Sequence, residues 1–491
     1  MSLILALDQS TSATKAVLFD ARGNILDKAA RSHRQIYPRP GWVEHDAEEI
    51  WQNVLAVIRE IAKRNRKRIS QIAGLSITNQ RETVLVFDRK TAKPLHHALV
   101  WLDRRGDAIC QTLRKQGVEK SVRAKTGLKI DTYFSASKIR WLVENKPAIA
   151  AKLKKGEAVI GTIDSYLVYR LTAGKVFATD FTNASRTLLF DLGKLRWDER
   201  LCKMFRAPMS ALPEVCESAS QFGETDVNGI LPSPIPIAGI MGDSQASLFA
   251  QRCFSLGTAK ATFGTGTSVL LNIGGIKSSK GGAVTALAWV LNGKPTYAFE
   301  GIINFSAATI EWLKSQLGLI QNSGEVEKLV TRIPDNGGVY LVPAFAGLSA
   351  PYWSPDARAA IVGMTGFTKK EHVVRAALES IAYQIRDVLD MMRVDAKINL
   401  HNLHADGGPT RNQFLMQFTA DITRMEIKVA EVAESSAWGA AMSSLLALGI
   451  YKSLDELTKL PRQQKIFRPK MDLKLVKKNY AGWKAAVSRI L

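Results

Sequence analysis

Five short stretches hold residue types that could do chemistry. From Leu3 the chain reads LILALDQSTSATKAVLFD: an apolar strand ending in Asp8, a tip of small and hydroxyl residues, Lys15, then a second apolar strand. A tip with so little side-chain bulk leaves backbone N–H groups bare beside Thr and Ser hydroxyls, which makes a nest for an anion. A second tip of this kind, Gly264-Thr265-Gly266-Thr267, lies half a chain away in AKATFGTGTSVLLNIGG. Two such hairpins facing each other would cradle a polyphosphate, although either alone is also what an ordinary tight turn uses. In LHADGGPTRNQFLMQF, Gly407 and Gly408 precede a helix, so the backbone there either admits a flat ligand or a phosphate or simply caps the helix. NQRET sets Arg81 beside Glu82 after a strand. A guanidinium donates and a carboxylate accepts, so the two suit neighbouring hydroxyls of a polyol, or else form an exposed charge pair. In AGIMGDSQASLFAQ, Asp243 ends an apolar strand and opens a helix, a position that also fits a helix N-cap.

The elements that must position these residues read as alternating strands and helices. Strands are expected at Gly74–Thr78, Thr83–Phe87 and Ile235–Ile240. Helices are expected at Ala47–Ala62, Asp107–Gln116, Ser135–Glu144, Glu371–Met392 and Asn412–Ile422. With the repeated hairpin, this describes an α/β chain built as two similar halves, the second starting near Gly242–Gln251. No G-x-x-x-x-G-K-[ST] and no G-x-G-x-x-G between strand and helix occurs, so neither a P-loop nor a dinucleotide fold is supported.

Length and composition narrow the class. A chain of 491 residues exceeds one ordinary domain. No apolar run reaches the ~18 residues of a membrane span, and the N-terminus lacks the basic-then-apolar pattern of a signal peptide. Four cysteines, Cys110, Cys202, Cys216 and Cys253, stand far apart, which argues against zinc or a disulfide framework and for reduced thiols in a cytoplasmic protein. The net charge of +22 raises polyanion binding as a rival. The basic residues are dispersed, however, with a cluster at Lys63–Arg68 that no aromatic interleaves and a longer stretch from Lys459 to Arg489. Solvated helix faces are the simpler reading.

With these elements in place, the chain resembles the FGGY family of carbohydrate kinases, and within it the glycerol kinase branch. The resemblance runs from about residue 3 to 485. It is carried by YPRPGWVEHDAEEIW (37–51), SITNQRETVLVFD (76–88), GLKIDTYFSASKIRWL (127–142), TDFTNASRTLLFDL (179–192), FGTGTSVLL (263–271), VPAFAGLSAPYWSPDARAAIVGMT (342–365) and DGGPTRNQFLMQF (406–418). It implies two ribonuclease-H-like domains of the actin/hexokinase-like ATPase fold around an ATP cleft. Residues 1–245 would form the N-terminal domain, with the polyol site and the first phosphate loop, and residues 246–491 the nucleotide-binding C-terminal domain. It implies ATP and Mg²⁺ as cofactors, a small polyol as partner, and a homodimer or homotetramer, with no membrane and no specific nucleic acid. By this resemblance Thr11, Ser12 and Lys15 meet phosphate, and Asp8 and Asp243 hold Mg²⁺. Gly264 and Thr265 hold further phosphates, while Ala307, Glu311, Gly408 and Asn412 lie by the nucleoside. Arg81, Glu82, Trp101, Tyr133, Asp243, Ser244 and Ser268 surround the polyol, and Asp243 is the base that takes the hydroxyl proton.

Several positions depart from the family pattern. Ser10 stands where Gly is usual, which costs about 1 kcal/mol if the position needs φ > 0. Ala307 and Glu311 replace Gly and Gln, and Leu102 replaces Gln. Ser244 and Ser268 replace a Gln and a Phe, so a roomier, wetter far end could admit a four- or five-carbon polyol or ketose in place of glycerol. A Gly-Asp-Ser hydrolase is a rival through Ser244, but no Asp-x-x-His follows, since His401 and His404 have no Asp three residues before them. A non-metabolic actin- or chaperone-type ATPase has no use for Arg81, Glu82 and Tyr133. Some bacterial glycerol kinases bind fructose 1,6-bisphosphate on a Gly-rich, Arg-containing loop. Here DVNGILPSPIPIAG (226–239) carries Pro232 and Pro234 and no Arg. Activity is therefore expected to be unchanged by millimolar fructose 1,6-bisphosphate, and a dose-dependent fall would refute this.

Overall fold

The computed structural model describes residues 2–430 and 434–491. Eight helices bear on the site: α1 (Ala47–Arg64), α2 (Asp107–Lys115), α3 (Ser135–Asn145), α4 (Asp243–Ala250), α5 (Ala307–Ser315), α6 (Lys370–Ala396), α7 (Gln413–Thr423) and α8 (Ser435–Ala447). The bounds of α1, α2, α3, α6 and α7 lie close to the periodicity-based expectations. In α1 the Asp46 side chain accepts from the amides of Glu48 and Glu49. Acidic residues open this helix and basic ones close it, and Ile50, Val54, Ile58 and Ile61 form one buried stripe. Helix α6 runs one residue further at its start and four further at its end than Glu371–Met392, stopping where Lys397 takes a left-handed conformation. Among the described residues no helix is long and apolar enough to cross a membrane.

The chain divides into two compact units. The first comprises Met1–Arg252, Thr285–Tyr297 and Glu434–Pro461; the second comprises Cys253–Val284, Ala298–Ala433 and Arg462–Leu491.

The first unit holds a six-stranded sheet of β1 (Leu3–Gln9), β2 (Ala13–Asp20), β3 (Ile25–Ser32), β4 (Ile72–Asn79), β5 (Gln221–Thr225) and β6 (Ile235–Gly242), in the order β5-β6-β4-β1-β2-β3. Strands β1, β4 and β6 run parallel, and each is a near-continuous apolar run because both faces are covered. Register sets the site: Gln9 pairs with Asn79 and Asn79 with Gly242, so the three strands end level. Whatever follows those ends comes together, as ligand-binding residues do at the carboxyl ends of parallel strands. Helix α8 packs on this sheet and against α4. A Cβ on Gly439 would lie 1.8 Å from the Ala246 carbonyl oxygen, so only Gly permits that approach.

The second unit repeats the theme with β7 (Ala259–Phe263), β8 (Thr267–Gly274), β9 (Asn402–Asp406), β10 (Glu426–Ala430) and β11 (Gln464–Phe467), side by side as β8-β7-β9-β10-β11. As β1 does, β7 forms a hairpin with the next strand and pairs in parallel with a later one, Thr262 facing both Ser268 and Asp406. The internal repeat seen in sequence is thus a repeated hairpin-plus-parallel-strand arrangement.

Close packing at Gly439 makes a stability prediction. Gly439→Ala must push α8 off α4 and is expected to cost about 2–3 kcal/mol. Gly366→Ala, where a Cβ meets nothing within 4 Å, is expected to be near neutral. Calorimetric melting of the two variants checks the contrast.

Candidate active site

The first unit gathers Asp8, Thr11, Ser12, Lys15, Arg81, Glu82, Trp101, Tyr133, Asp243 and Ser244. Asp8 and Lys15 are ladder partners across the β1–β2 hairpin. The Ser10 amide and hydroxyl both bond to the Ala13 carbonyl, and Ser10 is not among the positive-φ residues, so the strain anticipated for a non-glycine there does not arise. The tip is braced from outside. His33 Nε2 and Gln35 Nε2 bond to the Thr11 carbonyl at 2.9 and 2.8 Å. Trp101 Nε1 donates to Thr11 Oγ1 at 2.9 Å, so the Thr11 hydroxyl keeps its own proton to donate.

Past the end of β4 the chain turns sharply. Glu82 has φ +63°, and the turn is held by the Thr83 amide on the Arg81 carbonyl and by Ser135 Oγ on the Glu82 carbonyl. A left-handed non-glycine persists only where its surroundings over-determine it, commonly at functional sites. Arg81 Nε lies 3.1 Å from Asp243 Oδ1, and Arg81 Nη1 donates to Gln245 Oε1 at 3.1 Å. Glu82 is held by Arg186, whose Nε donates to Glu82 Oε1 at 2.6 Å. The Arg186 guanidinium also lies over the rings of Tyr133 and Phe134, at 5.9 and 5.2 Å. Tyr133 packs against Trp101 with ring centroids 5.2 Å apart. Lys138, fully buried, donates to the carbonyls of Thr132, Tyr133 and Phe134, and burial pushes its ammonium down to about 8 despite the neighbouring Asp103, Glu82 and Asp131.

Asp243 is the first residue of α4 rather than its cap, which is Gly242. Its side chain is 39% exposed, unlike Arg81 at 4%, so the carboxylate stands open while its clamp is buried. Gly242 makes room for that clamp, since a Cβ there would lie 2.7 Å from Arg81 Cγ. Asp8 is buried, and desolvation pushes its carboxyl up to about 6, opposed by Lys15 and reinforced by the charges of Asp243 and Glu434.

The second unit holds Gly264, Thr265, Ser268, Ala307, Glu311, Gly408 and Asn412. A cavity of about 960 Å³ is lined by Thr265, Ala307, Glu311, Gly408 and Asn412 together with apolar residues including Ile381. That volume lies within the range of small-molecule sites. The hairpin tip is docked on α5: the amides of Ala307 and Ala308 bond to the carbonyls of Gly264 and Thr265. Gly266 leaves no space for a Cβ, which would sit 2.5 Å from the Ile303 carbonyl oxygen. Gly407, at φ +100°, would put one 1.9 Å from the Phe263 carbonyl oxygen. At Gly408 a Cβ meets nothing within 4 Å, so this backbone is open to a flat ligand. Asn412 both lines the cavity and caps α7, accepting from the Leu415 amide at 2.8 Å. Ser268 does not line the cavity; its hydroxyl donates to Glu300 Oε1 at 3.2 Å.

Residues 3–250 match the family model for the N-terminal domain of the FGGY family of carbohydrate kinases, and residues 259–448 match the one for the C-terminal domain. The chain belongs to the FGGY family of carbohydrate kinases. It is 47% identical to "Glycerol kinase 1" of Thermotoga maritima, over 99% of each chain. It is also 47% identical to a glycerol kinase of Carboxydothermus hydrogenoformans, over 99% of this chain and 97% of that one. Among solved structures it is similar to Plasmodium falciparum glycerol kinase with ADP, at a TM-score of 0.95 and 41% identity, covering 100% of this chain and 98% of that one. A ligand-bound xylulose kinase from Lactobacillus acidophilus, at 20% identity and a TM-score of 0.89 over 99% of both chains, shares the fold. This FGGY kinase is therefore built on the two-domain α/β fold of the actin/hexokinase-like ATPases.

Sequence reasoning missed the partners of the candidate residues: Arg186, Lys138, Gln245 and Glu434 in the first unit and Glu300 in the second. Arg186 had a signal: a lone cation running into Leu188-Leu189-Phe190 must be buried and must have a partner. Arg186→Met leaves Glu82 without the cation that balances it and is expected to destabilise by about 3–5 kcal/mol. Combining it with Glu82→Gln, which removes the unbalanced charge, is expected to recover part of the loss. Melting midpoints of the single and double variants check this.

Proposed function

We propose that the protein transfers the γ-phosphate of ATP to a terminal hydroxyl of glycerol, giving glycerol 3-phosphate and ADP. The observation that carries the reading is the buried Arg81–Glu82 pair beside the open carboxylate of Asp243, with Arg81 Nε 3.1 Å from Asp243 Oδ1. The guanidinium donates to, and Glu82 accepts from, neighbouring hydroxyls, while Trp101 and Tyr133 offer a ring surface to the carbon chain. Relatives named glycerol kinase at 45–47% identity over nearly the whole chain support glycerol as the acceptor.

The attacking hydroxyl oxygen forms its bond to the γ-phosphorus as the bond from that phosphorus to the β-phosphate bridging oxygen breaks, and Asp243 takes the hydroxyl proton. Arg81 fixes the direction of the carboxylate. Lys15 and the Thr11 hydroxyl meet the transferring phosphate, with the tip of residues 8–15 held in place by Trp101, His33 and Gln35. Thr265, Ala307, Glu311, Gly408 and Asn412 hold the nucleotide against the open backbone of Gly408.

The residues present fit Mg²⁺. Burial, with the charges of Asp243 and Glu434 added to it, disfavours the charged form of Asp8 against the pull of Lys15, a conflict that a cation relieves. Among the described residues no three His, Cys, Asp or Glu side chains form a metal cluster. Two carboxylates, Asp8 and Asp243, completed by water and phosphate oxygens, suit an ion that keeps much of its hydration. When bound, Mg²⁺ supplies neutralisation of phosphate charge. A cytoplasmic setting fits the four scattered cysteines, three of them buried.

ADP release with Mg–ATP and a panel of glycerol, dihydroxyacetone, erythritol, threitol, xylitol, ribitol, xylulose or no acceptor tests the reading. Glycerol is expected to lead in kcat/KM by more than about 100-fold, roughly 2.7 kcal/mol. A four- or five-carbon winner would mean that Ser244 and Ser268 have remade the substrate preference. Turnover indifferent to every acceptor would overturn the kinase assignment itself.

A further inference from the structure

Lys15 stands opposite Asp8 in the β1–β2 ladder. A lysine on a flexible four-carbon stem settles on the nearest carboxylate, and facing residues of opposite charge on neighbouring strands attract. Yet its Nζ lies 2.9 Å from Glu434 Oε2 and 3.6 Å from Asp8 Oδ2. The first distance is a hydrogen bond; the second is an ion pair without one.

Glu434 is well placed to win this competition. It is largely buried and immediately precedes α8. That helix is locked to the unit by Gly439 against Ala246, and by Trp438, whose ring lies 5.2 Å from Phe19 on β2. The other carboxylate oxygen of Glu434 faces Lys28 Nζ on β3 at 3.6 Å. Two residues further on, Ser436 Oγ donates to the Asp243 carbonyl at 3.0 Å. The start of one helix thus touches both the lysine of the phosphate loop and the backbone of the proposed base.

We propose that Glu434 is a positioning residue for phosphoryl transfer, drawing the Lys15 ammonium off Asp8 so that Lys15 is aimed for phosphate and Asp8 keeps its oxygens for a cation. The inference rests on the reading of Lys15 and Asp8 given under Proposed function. Burial alone would lower the pKa of Lys15, but the charge of Asp8 and the bond and charge of Glu434 outweigh it and raise it.

The test is a double-mutant cycle of Glu434→Gln and Lys15→Ala, read by steady-state kinetics and by the pH dependence of Lys15 acetylation measured by mass spectrometry. Glu434→Gln is expected to lower kcat/KM for ATP about 10- to 100-fold with the KM for glycerol within about twofold. In the Lys15→Ala background it is expected to have no further effect. The pH at which Lys15 acetylation is half-maximal is expected to fall, because one of the two carboxylates that favour the ammonium is gone. If Glu434→Gln costs the same in both backgrounds, or leaves Lys15 reactivity unmoved while lowering the melting temperature, Glu434 only anchors α8 and the inference is wrong. If Lys15→Ala alone leaves kcat/KM intact, the reading of the phosphate loop falls and takes the inference with it. Should Glu434→Gln not fold, Glu434→Asp keeps the charge one methylene short. Its kinetic loss must then vanish in the Lys15→Ala background, or the inference is overturned.

Discussion

Ions taken out of water at the carboxyl ends of β1, β4 and β6 must be balanced where they stand, and most of the first unit's site follows from that constraint. An isolated buried carboxylate or ammonium is prohibitively costly. Glu82 is balanced by Arg186, Arg81 by Asp243, and Lys15 by Asp8 and Glu434, while the Lys138 ammonium is spent on three carbonyls. The partners come from different elements, so each pairing also ties the strand ends to the helices that cover them. The result is a set of charges whose orientation is fixed before any ligand arrives, which is what phosphoryl transfer demands of a protein.

The second unit solves a different problem with different means. Its candidate site depends on how closely backbone can approach backbone. Gly266 and Gly407 let the hairpin tip and the end of β9 close on their neighbours, and Gly408 leaves its own backbone open to the cavity. The amides that open α5 are spent on the carbonyls of Gly264 and Thr265, so the helix start holds the loop rather than a ligand. Tip and helix therefore present Thr265, Ala307 and Glu311 as one piece.

What could be read from sequence was what is local. The helix from Ala47 announced itself by its 3.6-residue periodicity, and the strands by apolar runs that a doubly covered parallel sheet requires. The two hairpin tips were legible because the same run of small residues between apolar strands recurs half a chain apart. The partners were not. Arg186 meets Glu82 across 104 residues and Glu434 meets Lys15 across 419, and no periodicity encodes such distances. The sequence shows that a cation among Leu and Phe must be paired; only the fold shows with what. Asp243 illustrates the same limit. Its place at a strand-to-helix junction was plain, but that it is the first helical residue and stays open while its clamp is buried depends on Gly242 and Arg81.

The departures from the family pattern separate by the kind of physics they touch. Ser10 bonds to Ala13 in unstrained backbone, and the Ser268 hydroxyl is engaged by Glu300, so each added polar group is satisfied inside its own unit. None of these changes alters a charge among Asp8, Lys15, Arg81, Glu82 and Asp243. On the roles proposed for them, those charges govern reaction type, because a hydroxyl can be deprotonated onto a carboxylate and a phosphate neutralised only by groups of fixed sign at fixed places. Substrate length is governed by volume, and on the proposed assignment of Ser244 and Ser268 to the polyol these two small residues would change it. A chain of this family can therefore shift the acceptor it prefers while the chemistry it performs stays the same, and the two properties reside in different residues.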